Sequence, residues 1–298
     1  MTYVPPKGPK RGVSLYSYSD IIQLGLTLED CFREMQDMGA HGVEILGNSH
    51  IPGYPNMTDE FVEEWYRLLD KYEIVPAEYG HWIDTRMFKG RDLTVKECVD
   101  LLTQDFKIAN KLGFHCLRTK MGVIDDILTP VENWREVIDE ASPIAEEYGV
   151  IMLPEIHLPT LLEHKMIQDY VEYIDSRNSK AFGLNIDLSV FTDNFDGMFL
   201  GPGAELRGSK PEEIIPLLPY VHCIHAKFSR MIPDPDPESK LMFKEYNIPY
   251  DKILPILVEH GWDGWMVAEY EGFDRGDENA LSEALHQHQI LMKNILGY

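Results

Sequence analysis

Short apolar runs alternate with longer segments in which apolar residues recur at helical spacing, from one end of the chain to the other. The runs are "GVSLYS", "GVEIL", "IVPAEYG", "HCLRTK", "VIMLPEIH", "FGLNIDL", "VHCIHAK" and "WMVAEYE". Between them lie segments such as "TLEDCFREMQDMGA", "TVKECVDLLTQDFKIANKLG" and "KPEEIIPLLPY", and "ENALSEALHQHQILMKNIL" closes the chain. Several of these open with Thr or Ser followed by acidic residues and stop at Gly, as N-terminal capping and the helix dipole require. Strict alternation predicts parallel strands, and eight such units predict a closed (β/α)8 TIM barrel of class α/β. Residues 1–12, "MTYVPPKGPKRG", read as a flexible N-terminal tail ahead of a single barrel domain over residues 13–298.

The connections give the barrel a direction. Helix-to-strand links are tight, as in "MGAH" and "HGWDG", whereas strand-to-helix links run long, as in "GNSHIPGYPNM", "SVFTDNFDGMFLGPGAELRGS" and "SRMIPDPDPESKLMFKEYN". Long loops at one end are what a site at the C-terminal mouth of a barrel requires.

The polar residues inside the apolar runs carry the chemistry. In "VIMLPEIHLP", Glu155 and His157 stand two residues apart, so an extended chain puts both on one face. A bare carboxylate is costly to bury unless it is paired or binds a metal. The next three strands repeat the pattern, with Asp187 in "GLNID", His225 in "VHCIH" and Glu269 in "WMVAE". Three carboxylates and one imidazole predict a site for one divalent metal, Mn2+ first and Mg2+ or Co2+ next, with Zn2+ disfavoured because no thiolate takes part. Near the ends of the earlier strands lie Glu44, Glu78, His81, Arg118 and Lys120, which either contact substrate or form a buried ion-pair layer. Lys227 shares the face of His225. His222 has the opposite parity and is expected under a helix, and His286 and His288 are expected to be solvated on the last helix.

Composition narrows the class. The chain has 298 residues, is 44% hydrophobic and carries a formal net charge of −23. Such a surface repels nucleic acid and anionic membranes. No apolar run is long enough to span a bilayer and no signal peptide is evident, which predicts a cytoplasmic protein. Cys31, Cys98, Cys116 and Cys223 are widely spaced and are expected to be reduced core thiols.

The ordered set Glu155, Asp187, His225 and Glu269 resembles the xylose-isomerase-like superfamily of sugar isomerases and epimerases, over nearly the whole chain. "PEIH" is similar to the Glu-x-His of several members, and "IPYDKILPILVEHGWDGWMVAEYEG" to the stretch leading to their last ligand. "RGVSLYSY" and "GVEILGNSHIPGYPN" further resemble the larger, catalytic subunit of bacterial C-glycoside deglycosidases. Two departures stand out. Val190 occupies the His place of an Asp-x-x-His found in many epimerases, and Phe228 the Asp place of a His-x-x-Asp. Their absence argues against a two-metal isomerase, and the acidic surface argues against the related endonucleases.

The resemblance implies that the four residues hold one ion that chelates two sugar oxygens. The closer resemblance implies a lyase that acts on 3-oxo-glycosides. In that reaction a base takes the C2 proton and the aglycone leaves C1 by β-elimination. His157 is the candidate base, with a bystander role orienting its neighbours as the other reading. The alternative is a ketose 3-epimerase or sugar isomerase, in which Glu155 and Glu269 would be the acid/base pair. Lys227, Arg118, His81 and Glu78 are expected to bind the sugar or glycoside. The resemblance also implies a smaller β subunit in a hetero-oligomer.

Overall fold

A computed structural model describes residues 3–81, 91–119, 129–194 and 207–298. Its barrel strands are β1 (Lys10–Ser14), β2 (Gly42–Leu46), β3 (Val75–Gly80), β4 (Cys116–Thr119), β5 (Ile151–Ile156), β6 (Leu184–Asp187), β7 (Val221–Phe228) and β10 (Trp265–Tyr270). They close in the order β1-β10-β7-β6-β5-β4-β3-β2, and each pairs in parallel with its neighbours. The predicted TIM barrel is therefore the fold. The barrel domain, expected from residue 13, begins earlier, because Lys10 to Val13 pair with β10 and the Arg11 guanidinium bonds Gln289 at 2.9 Å. Residues 10–12 thus belong to the barrel and not to a tail.

The helices follow their sequence signals. The longer ones are α1 (Leu28–Asp37), α2 (Asp59–Tyr72), α3 (Val95–Leu112), α4 (Trp134–Tyr148), α5 (Lys165–Arg177), α6 (Tyr250–Glu259) and α7 (Glu278–Leu296). Thr27 and Thr94 close capping boxes with Asp30 and Glu97, so each side chain satisfies backbone donors that an open helix end would strand. The sixth unit differs: Pro211–Tyr220 is a 3₁₀ helix, because Pro216 and Pro219 supply no N–H and crowd the preceding turn. Aromatic rings fill the space between helices and barrel. Trp65 of α2, fully buried, packs against Phe32 and Phe114 and donates to Leu112 O at 3.0 Å. The four cysteines are free, three of them buried and Cys116 half-buried.

Inside the barrel, below the mouth, Ala77, Leu153, Cys223 and Val267 form a separate apolar cluster with Cys116, Ile151 and Trp265 packed against it. Gly42 lets Trp265 lie across this floor, since a Cβ there would stand 2.4 Å from the indole. At the mouth, the long link after β7 folds into an antiparallel hairpin of β8 (Met231–Pro233) and β9 (Phe243–Glu245). Its two feet are tied together by one side chain. The Glu245 carboxylate accepts from the backbone N–H groups of Ser229 (3.1 Å), Arg230 (3.1 Å), Asn247 (2.6 Å) and Ile248 (2.5 Å). Among the described residues, no helix is long and apolar enough to cross a membrane.

Candidate metal centre

Inward-facing positions on four neighbouring strands climb from floor to mouth: Leu153 then Glu155, Asn185 then Asp187, Cys223 then His225 then Lys227, and Val267 then Glu269. Strand register sets Asp187 beside His225 and Asn185 beside Glu155, so the polar groups meet at one level. The potential ligand atoms of Glu155, Asp187, His225 and Glu269 all lie within 4.8 Å of one another, and all four residues are buried. His225 is central. Its Nδ1 stands 2.8 Å from Glu269 Oε2, 3.0 Å from Glu155 Oε1 and 3.8 Å from Asp187 Oδ2.

These contacts fit a cation better than they fit one another. Asp187 Oδ2, His225 Nδ1 and Glu269 Oε2 are buried and make no hydrogen bond. Lys227 Nζ approaches the two oxygens at 3.3 and 3.2 Å, but outside hydrogen-bonding geometry. A buried polar atom left without a partner costs about 1–3 kcal/mol, so three converging on one point call for a common partner. Ser189 N holds Asp187 by its other oxygen at 2.7 Å, which leaves Oδ2 turned to that point. Oxygen-rich donors with one imidazole suit a hard divalent ion.

A second polar layer lies directly beneath. His225 Nε2 is 3.2 Å from Glu78 Oε2 and 3.5 Å from Glu44 Oε1, and both carboxylates are fully enclosed. Asn185 Nδ2 donates to both Glu78 oxygens, at 3.1 and 3.0 Å. Arg118 ties the layers together, with Nε donating to Glu44 at 3.0 Å and Nη1 to Glu155 at 3.0 Å. With an ion above it, the imidazole would donate from Nε2 down to Glu78 and turn Nδ1 upward, the arrangement usual behind a metal-bound histidine. Glu78, expected either against a substrate or in a buried ion-pair layer, sits under His225, because strand β3 places it a layer below the mouth.

Electrostatics follow from the crowding. Burial pushes the Glu269 carboxyl up, but Lys227 and His225 outweigh it and hold the group well below the usual carboxylate range. Burial likewise opposes the charged His225, yet Glu44, Glu269 and Glu155 keep its pKa well above the ordinary value. Lys227 is pushed up despite burial by Asp187, Glu269 and Glu271. Glu78 is raised, burial being the main cause. Five buried carboxylates in the two layers face Arg118, Lys227 and His225, an excess of negative charge that a divalent ion would offset.

Above the centre opens a cavity of about 1220 Å3, lined among others by Tyr16, His81, Arg118, His157, Lys227 and Phe273. His157 stands one residue beyond β5, and its Nδ1 donates to Leu158 O at 2.5 Å, leaving Nε2 as the basic atom of the ring. Lys120 lies outside the described residues. His222 is exposed at the start of β7, where the strand emerges from the barrel bottom, and is not under a helix. His288 is fully buried and not solvated: its ring stacks on Phe228 at 4.0 Å. Phe228 and Val190 are themselves fully buried. Sequence reasoning missed Asp105, a buried carboxylate of α3 bonded to His81 at 2.5 Å.

The family model described as "Xylose isomerase-like TIM barrel" matches residues 32–291. The chain belongs to that family. This xylose isomerase-like barrel is 24% identical to the "C-glycoside deglycosidase alpha subunit" of Arthrobacter globiformis, over 97% of this chain and 93% of the relative. It is 23% identical to the "3'-dehydrocarminate deglycosidase alpha subunit" of a Microbacterium species, over 97% and 96%. Among solved structures, D-psicose 3-epimerase from Clostridium cellulolyticum H10 superposes with a TM-score of 0.67 at 17% identity, covering 96% of this chain and 99% of that one. Its relatives are thus sugar-acting enzymes, and its fold is shared with sugar epimerases.

Proposed function

We propose that the chain is the catalytic subunit of a metal-dependent deglycosidase that releases the aglycone from 3-oxo-glycosides, with Mn2+ the ion and a smaller second subunit over the mouth. The observation that carries this reading is the convergence of three buried, unbonded ligand atoms at the base of a cavity whose wall presents His157. The full-length likeness to relatives named as deglycosidase alpha subunits supports the substrate class and the second subunit.

Glu155, Asp187, His225 and Glu269 would hold the ion, which when bound supplies Lewis acidity to neighbouring sugar oxygens. The protein's own groups move the proton. His157, with Nδ1–H committed to Leu158 O, accepts the acidic C2 hydrogen of the 3-oxo sugar at Nε2. The C2–H electron pair becomes the C1=C2 bond, and the aglycone leaves C1 with the pair of the broken bond. Arg118 keeps Glu155 in place throughout, and Lys227 binds a substrate oxygen at the rim.

The test combines metal content and turnover. Protein purified without chelator, supplied with Mn2+ and assayed on 3-oxo-glucosides, should release aglycone. His157→Ala should cut that rate by about 100-fold or more while retaining metal. Unchanged turnover would remove His157 as the base. Exchange of the C2 hydrogen with solvent without aglycone release would favour epimerase chemistry instead.

A further inference from the structure

Behind one wall of the cavity sits a charged group that the reaction as described leaves unused. Asp105 is 1% exposed, and it is the one charged side chain among the buried residues of α3, whose others are Cys98, Leu102, Phe106, Ile108, Ala109 and Leu112. Its Oδ1 accepts from the hydroxyls of Tyr54 and Tyr79, each at 3.1 Å, and its Oδ2 lies 2.5 Å from Nδ1 of His81. Burial raises both tyrosine pKa values, and Asp105 adds to the effect, so both stay protonated donors. Gln104 Nε2 in turn donates to Tyr54 at 3.3 Å. A carboxylate accepts only, so with two hydroxyls and an imidazole around it Asp105 requires the proton of His81 on Nδ1. The backbone of His81 is fixed as well, its N–H donating to Arg118 O at 3.1 Å. What remains of the ring is Nε2, for which no hydrogen-bond partner exists among the described residues, on a side chain that lines the same cavity as His157.

We propose that His81 is the acid that protonates the departing aglycone and that Asp105 is the positioning residue that fixes its ring. This deepens the deglycosidase reading above and rests on it. A buried carboxylate behind an imidazole holds the ring in one orientation with Nε2 turned to the cavity, as in other His–carboxylate pairs. The proton balance then closes. His157 removes the proton from C2, the C2–H pair forms C1=C2, and the C1–aglycone bond breaks. The proton on Nε2 of His81 goes to the aglycone atom that carries off the bonding pair. One proton has passed from sugar to aglycone, and solvent resets the two histidines.

Leaving-group dependence separates this role from a structural one. The holoenzyme is assayed on the 3-oxo-glucosides of 4-nitrophenol, which departs as a stable anion, and of methanol, which needs its proton. For His81→Gln and Asp105→Asn the methyl substrate should lose about 100-fold or more in rate, and the nitrophenyl substrate less than about 5-fold. Equal losses on both substrates, with metal content and circular dichroism unchanged, would overturn the assignment of His81 as the acid. Should Asp105→Asn fail to fold, His81→Gln at the cavity wall decides the question alone. Wild-type protein that holds metal but converts neither substrate overturns the deglycosidase reading, and the acid role falls with it. The first failure leaves the elimination standing and the second does not.

Discussion

Cys223 and His225 are neighbours on one face of β7, yet they belong to opposite environments. Below, Cys223 joins Leu153 and Val267 in an apolar plug where each side chain is fully buried, the Cys223 thiol donating to Trp265 O at 3.3 Å. Two residues higher, His225 is also fully buried, but among carboxylates of which Glu44, Asp187 and Glu269 each keep one buried oxygen without a hydrogen bond. The floor is optimised for the chain by itself. The mouth gathers buried carboxylates in excess of the cations beside them, an arrangement a divalent ion would offset. Stability and function are thus segregated along the barrel axis, about one strand pleat apart.

That separation can be broken experimentally. The largest effect is expected at the mouth: Asp187→Asn should reduce bound metal from about one per chain to a small fraction, read by elemental mass spectrometry. The metal-free variant should unfold no earlier than wild type, because one repelling charge is gone; a marked loss of stability would mean the charges also hold the fold. At the floor, Leu153→Ala should cost about 2–5 kcal/mol in chemical denaturation while leaving metal per folded chain unchanged. Between the layers, Glu78→Gln weakens the grip on Nε2 of His225 and should raise the metal dissociation constant about 10–100-fold in a chelator competition.

The smallest effect comes from a titratable group that the barrel wall buries without hydrogen bonds and within reach of the Arg11 charge. Both ring nitrogens of His288 lack hydrogen bonds, and burial lowers its pKa to about 3. An unfolded histidine titrates near 6.5, so below that pH the unfolded chain takes a proton the native state refuses. Native stability should therefore fall as pH drops from about 6.5 towards 3, by up to about 1.4 kcal/mol per pH unit. His288→Phe should flatten that acid limb in the metal-free protein, measured by denaturant midpoints at pH 7 and pH 5. An unchanged slope would place the acid sensitivity at the mouth.

Much of this was legible from residues alone, and the exceptions have physical causes. The quartet could be read because parallel strands have a strict two-residue period and the four groups sit at equivalent heights. Asp105 could not, since it meets His81 from a helix that follows no strand parity, 24 residues further along the chain. Glu78 and Glu44 were visible as buried-layer candidates, but height within the barrel depends on register, and β2 and β3 shift by one residue between Val43 and Glu44. His288 was misread although the signal was present. Leu281, Leu285, His288, Leu291 and Met292 share one buried helical stripe, and His286 falls outside it.

The carboxylate of Glu245 has a consequence on a longer timescale. By gathering four backbone N–H groups from both feet of the hairpin, it fixes where the chain leaves β7 and where it returns towards α6, whatever lies between. Insertions, deletions and drift within residues 234–242 can accumulate without shifting Lys227 or the strand that carries His225. Natural variation can therefore rewrite the rim of this barrel one hairpin at a time, trying new shapes against new molecules, while the inherited chemistry beneath stays put.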